Sequence, residues 1–213
     1  MKTSKIKLCL VTSGCLLLAL TGFVMYKLDK REVMPVRLWR VTYERATPKG
    51  ALFYMRRALV SGDADGYAAS FQMGDEDEAL RQSLKQMVLA FAKLHRQLVS
   101  TYDQVNADMV VRNLAPAVLP EQMIHKAEVS KVGDHILIAL GSKETKLVNL
   151  ELAQSGGAWR VRPETLFPSM SRQAISELMI QFATVIEDII PEIARGKYAN
   201  AYDVQLAIKH AMN

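Results

Sequence analysis

Proton transfer, metal binding and nucleophilic attack draw on His, Cys, Asp, Glu and Tyr, and along these 213 residues such side chains are scattered. The four histidines, His95, His125, His135 and His210, match no ligand spacing of the His-x-x-x-His kind. Asp75, Glu76, Asp77 and Glu78 are consecutive but lack the glycine turn that spaces the ligands of a calcium loop. Both cysteines, Cys9 and Cys15, fall inside an apolar run, so everything downstream is without a thiolate nucleophile or ligand. There is no Gly-rich phosphate loop and no nucleophile elbow. The pattern predicts no metal centre and no cofactor. Were the chain an enzyme, Tyr54 and Asp65 would be its acid–base candidates, and helix packing and capping account for both without any chemistry.

Charge narrows the partners. The chain carries 27 Lys and Arg against 22 Asp and Glu, a net charge of +5. Six of those bases (Lys2, Lys5, Lys7, Lys27, Lys30, Arg31) and one acid (Asp29) lie in residues 1–31, which leaves residues 32–213 with 21 of each. A neutral domain has no cationic footprint for neutralising a phosphate backbone, so nucleic acid is not expected as a partner.

The excess charge brackets a span. From Leu8 to Tyr26 there are 19 residues without a charge, and at ~1.5 Å per residue they approach the ~30 Å core of a bilayer. An uncleaved transmembrane anchor is the expected form. A cleavable signal peptide competes with it, but Ala19-Leu20-Thr21 is the only passable cut site and the apolar run continues past it. Thr12-Ser13-Gly14-Cys15 resembles a lipid-attachment site, although the strongly apolar stretch follows Cys15 instead of preceding it. Three Lys precede the span and five basic residues follow it (Lys27, Lys30, Arg31, Arg37, Arg40), a balance that does not favour an inside N-terminus. The short Lys-rich start is how secretory anchors begin, and the domain is expected outside the cytoplasm. Residues 32–46 are a juxtamembrane linker in which Trp39 suits the interface.

Beyond residue 46 the periods identify the elements. Thr47 as N-cap and Pro48 at the first helical position open a helix that Ser61-Gly62 stops. Asp63 caps a short second helix reaching Phe71. Leu80, Leu84, Met87, Phe91, Leu94, Leu98, Tyr102 and Val105 predict one long helix between Gly74 and Asn106, with Asp75 to Glu78 in its first turn, favoured by the helix dipole. After Pro120 the period falls to 2. Ala127, Val129 and Lys131 alternate, Gly133-Asp134 makes a hairpin turn, and Ile136, Ile138 and Leu140 follow. Val148, Leu150 and Leu152, then Trp159 and Val161 after Gly156-Gly157, complete a meander with one apolar face; Arg160 and Arg162 face outward. A last helical region starts at Ser169 or Ser171, is interrupted or kinked at Pro191, stops near Gly196 and restarts at Asn200. The fold class is α+β.

Helix, short helix, long helix and a bent meander ending in Gly-Gly-x-Trp-Arg-Val resemble the NTF2-like (SnoaL-like) α+β cone superfamily. The resemblance is carried by Ala51-Leu52-Phe53-Tyr54-Met55-Arg56-Arg57-Ala58-Leu59, by Gly62-Asp63-Ala64-Asp65-Gly66-Tyr67 with Phe71, and by Gly156-Gly157-Ala158-Trp159-Arg160-Val161. It implies a domain over residues 47–167, helices packed on a bent sheet around a cone-shaped cavity, with residues 168–213 as a C-terminal helical extension. Catalytic members similar to ketosteroid isomerase or dehydratases place Asp, His or Tyr in the cone. The expected concave face here holds no acid, base or nucleophile, and Trp159 is expected in the core. Some bacterial envelope assembly factors, including a component of type IV secretion machines, look like this: one transmembrane helix plus such a domain.

The functional expectation is a non-catalytic, membrane-anchored domain acting in protein interaction or envelope assembly; the alternative is a small-molecule-binding or SnoaL-like enzyme using the cone. An open cone would favour the alternative. Ile175, Leu178, Met179, Phe182, Val185, Ile186, Ile189 and Ile190 cover more than the ~100° stripe that one packing surface needs. The surplus must meet residues 200–212 or another subunit. In the second case Phe182, Val185, Ile186 and Ile189 form the contact of a homodimer or of an envelope partner.

Overall fold

The computed structural model describes residues 45–114, 119–141 and 148–212, all within a compact unit, Tyr43–Asn213. The expected anchor at 8–26 and most of the juxtamembrane linker lie outside the described residues. Among the described residues no helix is long and apolar enough to cross a membrane.

Helix α1 spans Pro48–Ser61, with the Thr47 hydroxyl accepting from the Gly50 N–H at 3.1 Å. Gly62 ends it at φ 74°, and a Cβ there would stand 2.8 Å from that of Ala92. Helix α2, Ala64–Ala68, is capped by Asp63, which accepts from the Gly66 N–H at 2.9 Å. It stops short of Phe71. Ser70 to Gln72 instead run parallel to the last strand: Val161 N–H donates to Ser70 O at 2.9 Å and Gln72 N–H to Val161 O at 2.8 Å. Edge-strand amides need partners, and this segment supplies them.

The long helix departs from expectation at both ends. Asp75–Asp77 form a 3-10 turn, and α3 proper spans Glu78–Thr101. Only Glu78 of the four acids occupies the α-helical first turn. Asp77 is buried, so its carboxylate serves local and tertiary bonds in place of the dipole. At the other end the chain breaks at Tyr102 and α4 begins, Gln104–Leu114. Asp103 caps it by accepting from the Asn106 N–H at 2.8 Å. Val105, expected inward, is 77% exposed. A short helix α5, Glu121–Lys126, carries His125 in its last turn.

The sheet is an antiparallel meander in the order β1-β2-β3-β4, with β1 Glu128–Val132, β2 His135–Leu140, β3 Val148–Ser155 and β4 Ala158–Val161. Ile138 faces Leu150, and Leu152 faces both Ile136 and Val161. These residues and Leu140 form the inner face, none more than 9% exposed. Two strand assignments need correction. All of β1 is exposed, Val129 included, because it is the outer strand and nothing among the described elements covers it. Trp159 pairs with exposed Gln154 at the sheet's end, beyond the Leu152–Val161 pair, and is half-buried at the edge of the core.

After a short α6, Pro163–Leu166, comes α7, Arg172–Ala194, capped by Ser171, and then α8, Ala201–Ala211, capped by Asn200. Helix α7 is not interrupted at Pro191; it continues to Ala194, and Gly196 at φ 72° closes it. It lies parallel to α3 along its whole length. Arg172 meets Asp77, Ser176 Oγ donates to Ala79 O at 3.3 Å, the Phe91 and Phe182 rings are 6.4 Å apart, and Lys93 pairs with Glu187 at 2.7 Å. Much of the apolar surface of α7 is taken up within the chain, by α3 and by α8. Ile186 and Ile189 are buried, while Phe182 and Val185 are half-buried against the same core. Ile180 is the large apolar residue of α7 left exposed, at 46%.

Candidate functional site

The space between sheet and helices is filled. Leu52, Met55 and Leu59 of α1, Leu84, Met87 and Phe91 of α3, and the inner sheet residues belong to one continuous apolar cluster. The titratable side chain there is Tyr67, fully buried with its ring edge-on to Phe71 at 5.2 Å and its hydroxyl without a hydrogen-bond partner among the described residues. Burial pushes its phenol well up, which keeps it neutral and makes it a poor proton donor at neutral pH.

The polar groups converge instead on the outer face of β3 and β4. Alternation about Val161 puts Arg160 and Arg162 on that face together with Glu151 and His135. Arg160, Arg162 and Glu151 line an open cleft of about 540 Å³ together with Gln72 to Gly74, Glu76, Glu164, Thr165 and Arg172. Two of its arginines are occupied as clasps. Arg162 reaches Glu151 at 2.9 Å, Gln72 Oε1 at 3.2 Å and His135 Nε2 at 3.1 Å, tying three strands to the Ser70–Gln72 segment. Arg172 bonds both Asp77 and Glu164, joining the start of α7 to the 3-10 turn and to α6. Burial pushes the Glu164 carboxyl up, but the hydrogen bond and charge of Arg172 outweigh that and leave it below the ordinary range. The same bond raises the Arg172 guanidinium further.

Arg160 differs. Among the described residues its guanidinium has no carboxylate partner, and its Nε is buried without a hydrogen bond. Burial first, and then the charges of Arg45 and Arg81, push its pKa down. Arg160 also lines a second cleft, of about 270 Å³, with Asp65, Ala68, Ala69, Phe71, Met73, Arg81 and Lys85.

The acid–base candidates are both engaged. Tyr54 is buried in α1, its ring covered by the Arg45 and Arg57 guanidiniums at 4.8 and 5.5 Å. Asp65 is exposed and paired with Lys85 at 2.7 Å. Packing and a surface ion pair occupy them. Of the histidines, His95 binds Asp108 at 2.7 Å, and that bond depresses the Asp108 carboxyl. Ser61 and His95 line a common small cleft, but the Ser61 hydroxyl donates to Ala58 O at 3.3 Å, so no serine nucleophile is activated there. His125 lies tilted against Phe53 with ring centroids 4.8 Å apart, and His210 is exposed. Among the described residues no cluster of His, Cys, Asp or Glu is arranged to hold a metal. Sequence alternation placed Arg160 and Arg162 outward; that Arg172, 95 residues from Asp77, would close the same cleft had no local signal. No protein-family model, curated protein or solved structure matches the chain.

Proposed function

We propose that the chain is a non-catalytic interaction domain of the NTF2-like kind, held at a membrane by residues 8–26, with its soluble part on the extracytoplasmic side and a role in envelope assembly. The observation that carries this reading is the filled interior. A cone-based enzyme or carrier needs space lined by a few convergent polar groups, whereas the inner face of this sheet is aliphatic and packed on α1 and α3. The polar groups that could meet a partner lie on the outer face of β3 and β4. A second copy meeting the rim of α7 at Ile180, Phe182 and Val185 would fit the same role.

Two measurements test it. Full-length protein in isolated membranes should resist alkaline extraction and keep its N-terminal Met or Lys2; a soluble product beginning near Gly22 would refute the anchor. A hydrophobic dye titrated into the native protein should find no saturable interior site. Saturable binding that Ile138→Trp abolishes without unfolding the chain would return the function to the cone.

A further inference from the structure

We propose that Arg160 is the centre of an oxyanion site, and that the cleft it shares with Arg81, Lys85 and Asp65 binds a phosphate group. The cleft is lined by three cations and one acid, and the acid is already engaged by Lys85. Arg81 is held by Glu78 and by Gly74 O at 3.0 Å, and Arg45 by Ala69 O and the Tyr54 ring. These bonds fix the neighbouring cations in place while leaving Arg160 without an anion among the described residues. The arrangement is self-repulsive, and burial of the Nε has cost it water without returning a bond. A tetrahedral oxyanion in the cleft resolves the repulsion, meeting the guanidinium at its outer nitrogens because the Nε itself has almost no accessible surface. Its several oxygens accept from the planar guanidinium fork and neutralise the adjoining charges together, which a single carboxylate oxygen does less well. Arg160 is also positioned rigidly: its strand pairs with β3 on one side and with Ser70–Gln72 on the other. Local charge here is compatible with a neutral domain, because the balance of 21 bases and 21 acids is a sum over residues 32–213 and leaves single clefts free to carry one sign.

The phosphate could arrive as the free anion or as a lipid headgroup, and two arms distinguish the sources. In the first, the full chain in neutral detergent is titrated with inorganic phosphate at constant ionic strength against chloride and followed by calorimetry. In the second, it is reconstituted beside vesicles of phosphatidylcholine with or without phosphatidic acid, and vesicle binding is measured. Arg160→Gln should weaken the effective probe at least about tenfold, as expected for a lost charge-assisted pair. Arg81→Gln, which removes a guanidinium already engaged by Glu78 and Gly74 O, should weaken it by a smaller factor, and circular dichroism should show both variants folded. Binding of inorganic phosphate lost in Arg160→Gln supports the site with a free anion as ligand. Binding to phosphatidic acid vesicles alone, lost in the same variant, supports it with a lipid headgroup. Absence of binding in both arms, or affinities unchanged in both variants, overturns the proposal.

Discussion

Arg172→Met tests how the start of α7 is attached. The Asp77 side chain is 5% exposed and that of Arg172 36%. The carboxylate also accepts from the Gly74 N–H at 2.8 Å. Removing one partner of a fully buried ion pair costs about 3–5 kcal/mol, because the other charge is left without compensation. Here Met keeps the aliphatic stem, the Gly74 bond persists, and the opening left by the guanidinium admits water. The expected loss is therefore about 2–3 kcal/mol, short of the full penalty. For a unit of this size that lowers the melting temperature by roughly 4–12 °C. The assay is thermal and urea unfolding of four proteins: parent, Arg172→Met, Asp77→Asn and the double variant. Asp77→Asn removes the charge but can still accept from Gly74, so Arg172→Met should cost less than about 1 kcal/mol in that background. Glu164, 40% exposed, can be solvated and should contribute little to the difference. A single variant melting within about a degree of the parent, or an equal cost in both backgrounds, would refute a clasp built on buried charge.

Two further outcomes are expected. Trp159→Ala should cost about 1–2 kcal/mol in urea unfolding, below the ~3–5 kcal/mol of a fully buried aromatic, because the side chain is only partly buried at the sheet's end; a loss at the upper figure would place Trp159 inside the core. Stability should also fall with acid. Asp108 is depressed chiefly by its His95 hydrogen bond and Glu78 chiefly by that of Gln82. Carboxyls with lowered folded values add stability that is present above the unfolded range near pH ~4 and is lost as pH falls through the folded values below it. Urea midpoints measured across that range should decline, and Asp108→Asn should flatten part of the decline; a midpoint constant down to pH ~3 would contradict the assignment.

Local devices were legible wherever the physical cause was local. Thr47-Pro48, Gly62, Asp63, Ser171 and Asn200 each satisfy or terminate helix ends within a few residues of themselves. The β2 and β3 faces followed from strict alternation. The break at Tyr102 was missed because the apolar spacing runs through it; Asp103, a capping residue three before Asn106, was the available signal. Val129 and Trp159 alternate correctly, yet alternation does not say whether anything covers the end or edge of a sheet.

The sequence by itself determined the apolar span at 8–26, the α+β class, the periods of most elements and the absence of a metal or nucleophile motif, since each of these is written in spacing or composition. Only the tertiary structure decided that the interior is filled, that α7 runs beside α3 and buries Ile186 and Ile189 within the chain, and that Arg160 stands without an anion while Arg162 and Arg172 are engaged. Those outcomes depend on which surfaces meet across about ninety residues of chain, as Asp77 meets Arg172. Packing and long-range charge pairing leave no periodic trace in either partner, because each segment satisfies its own period whichever neighbour it acquires.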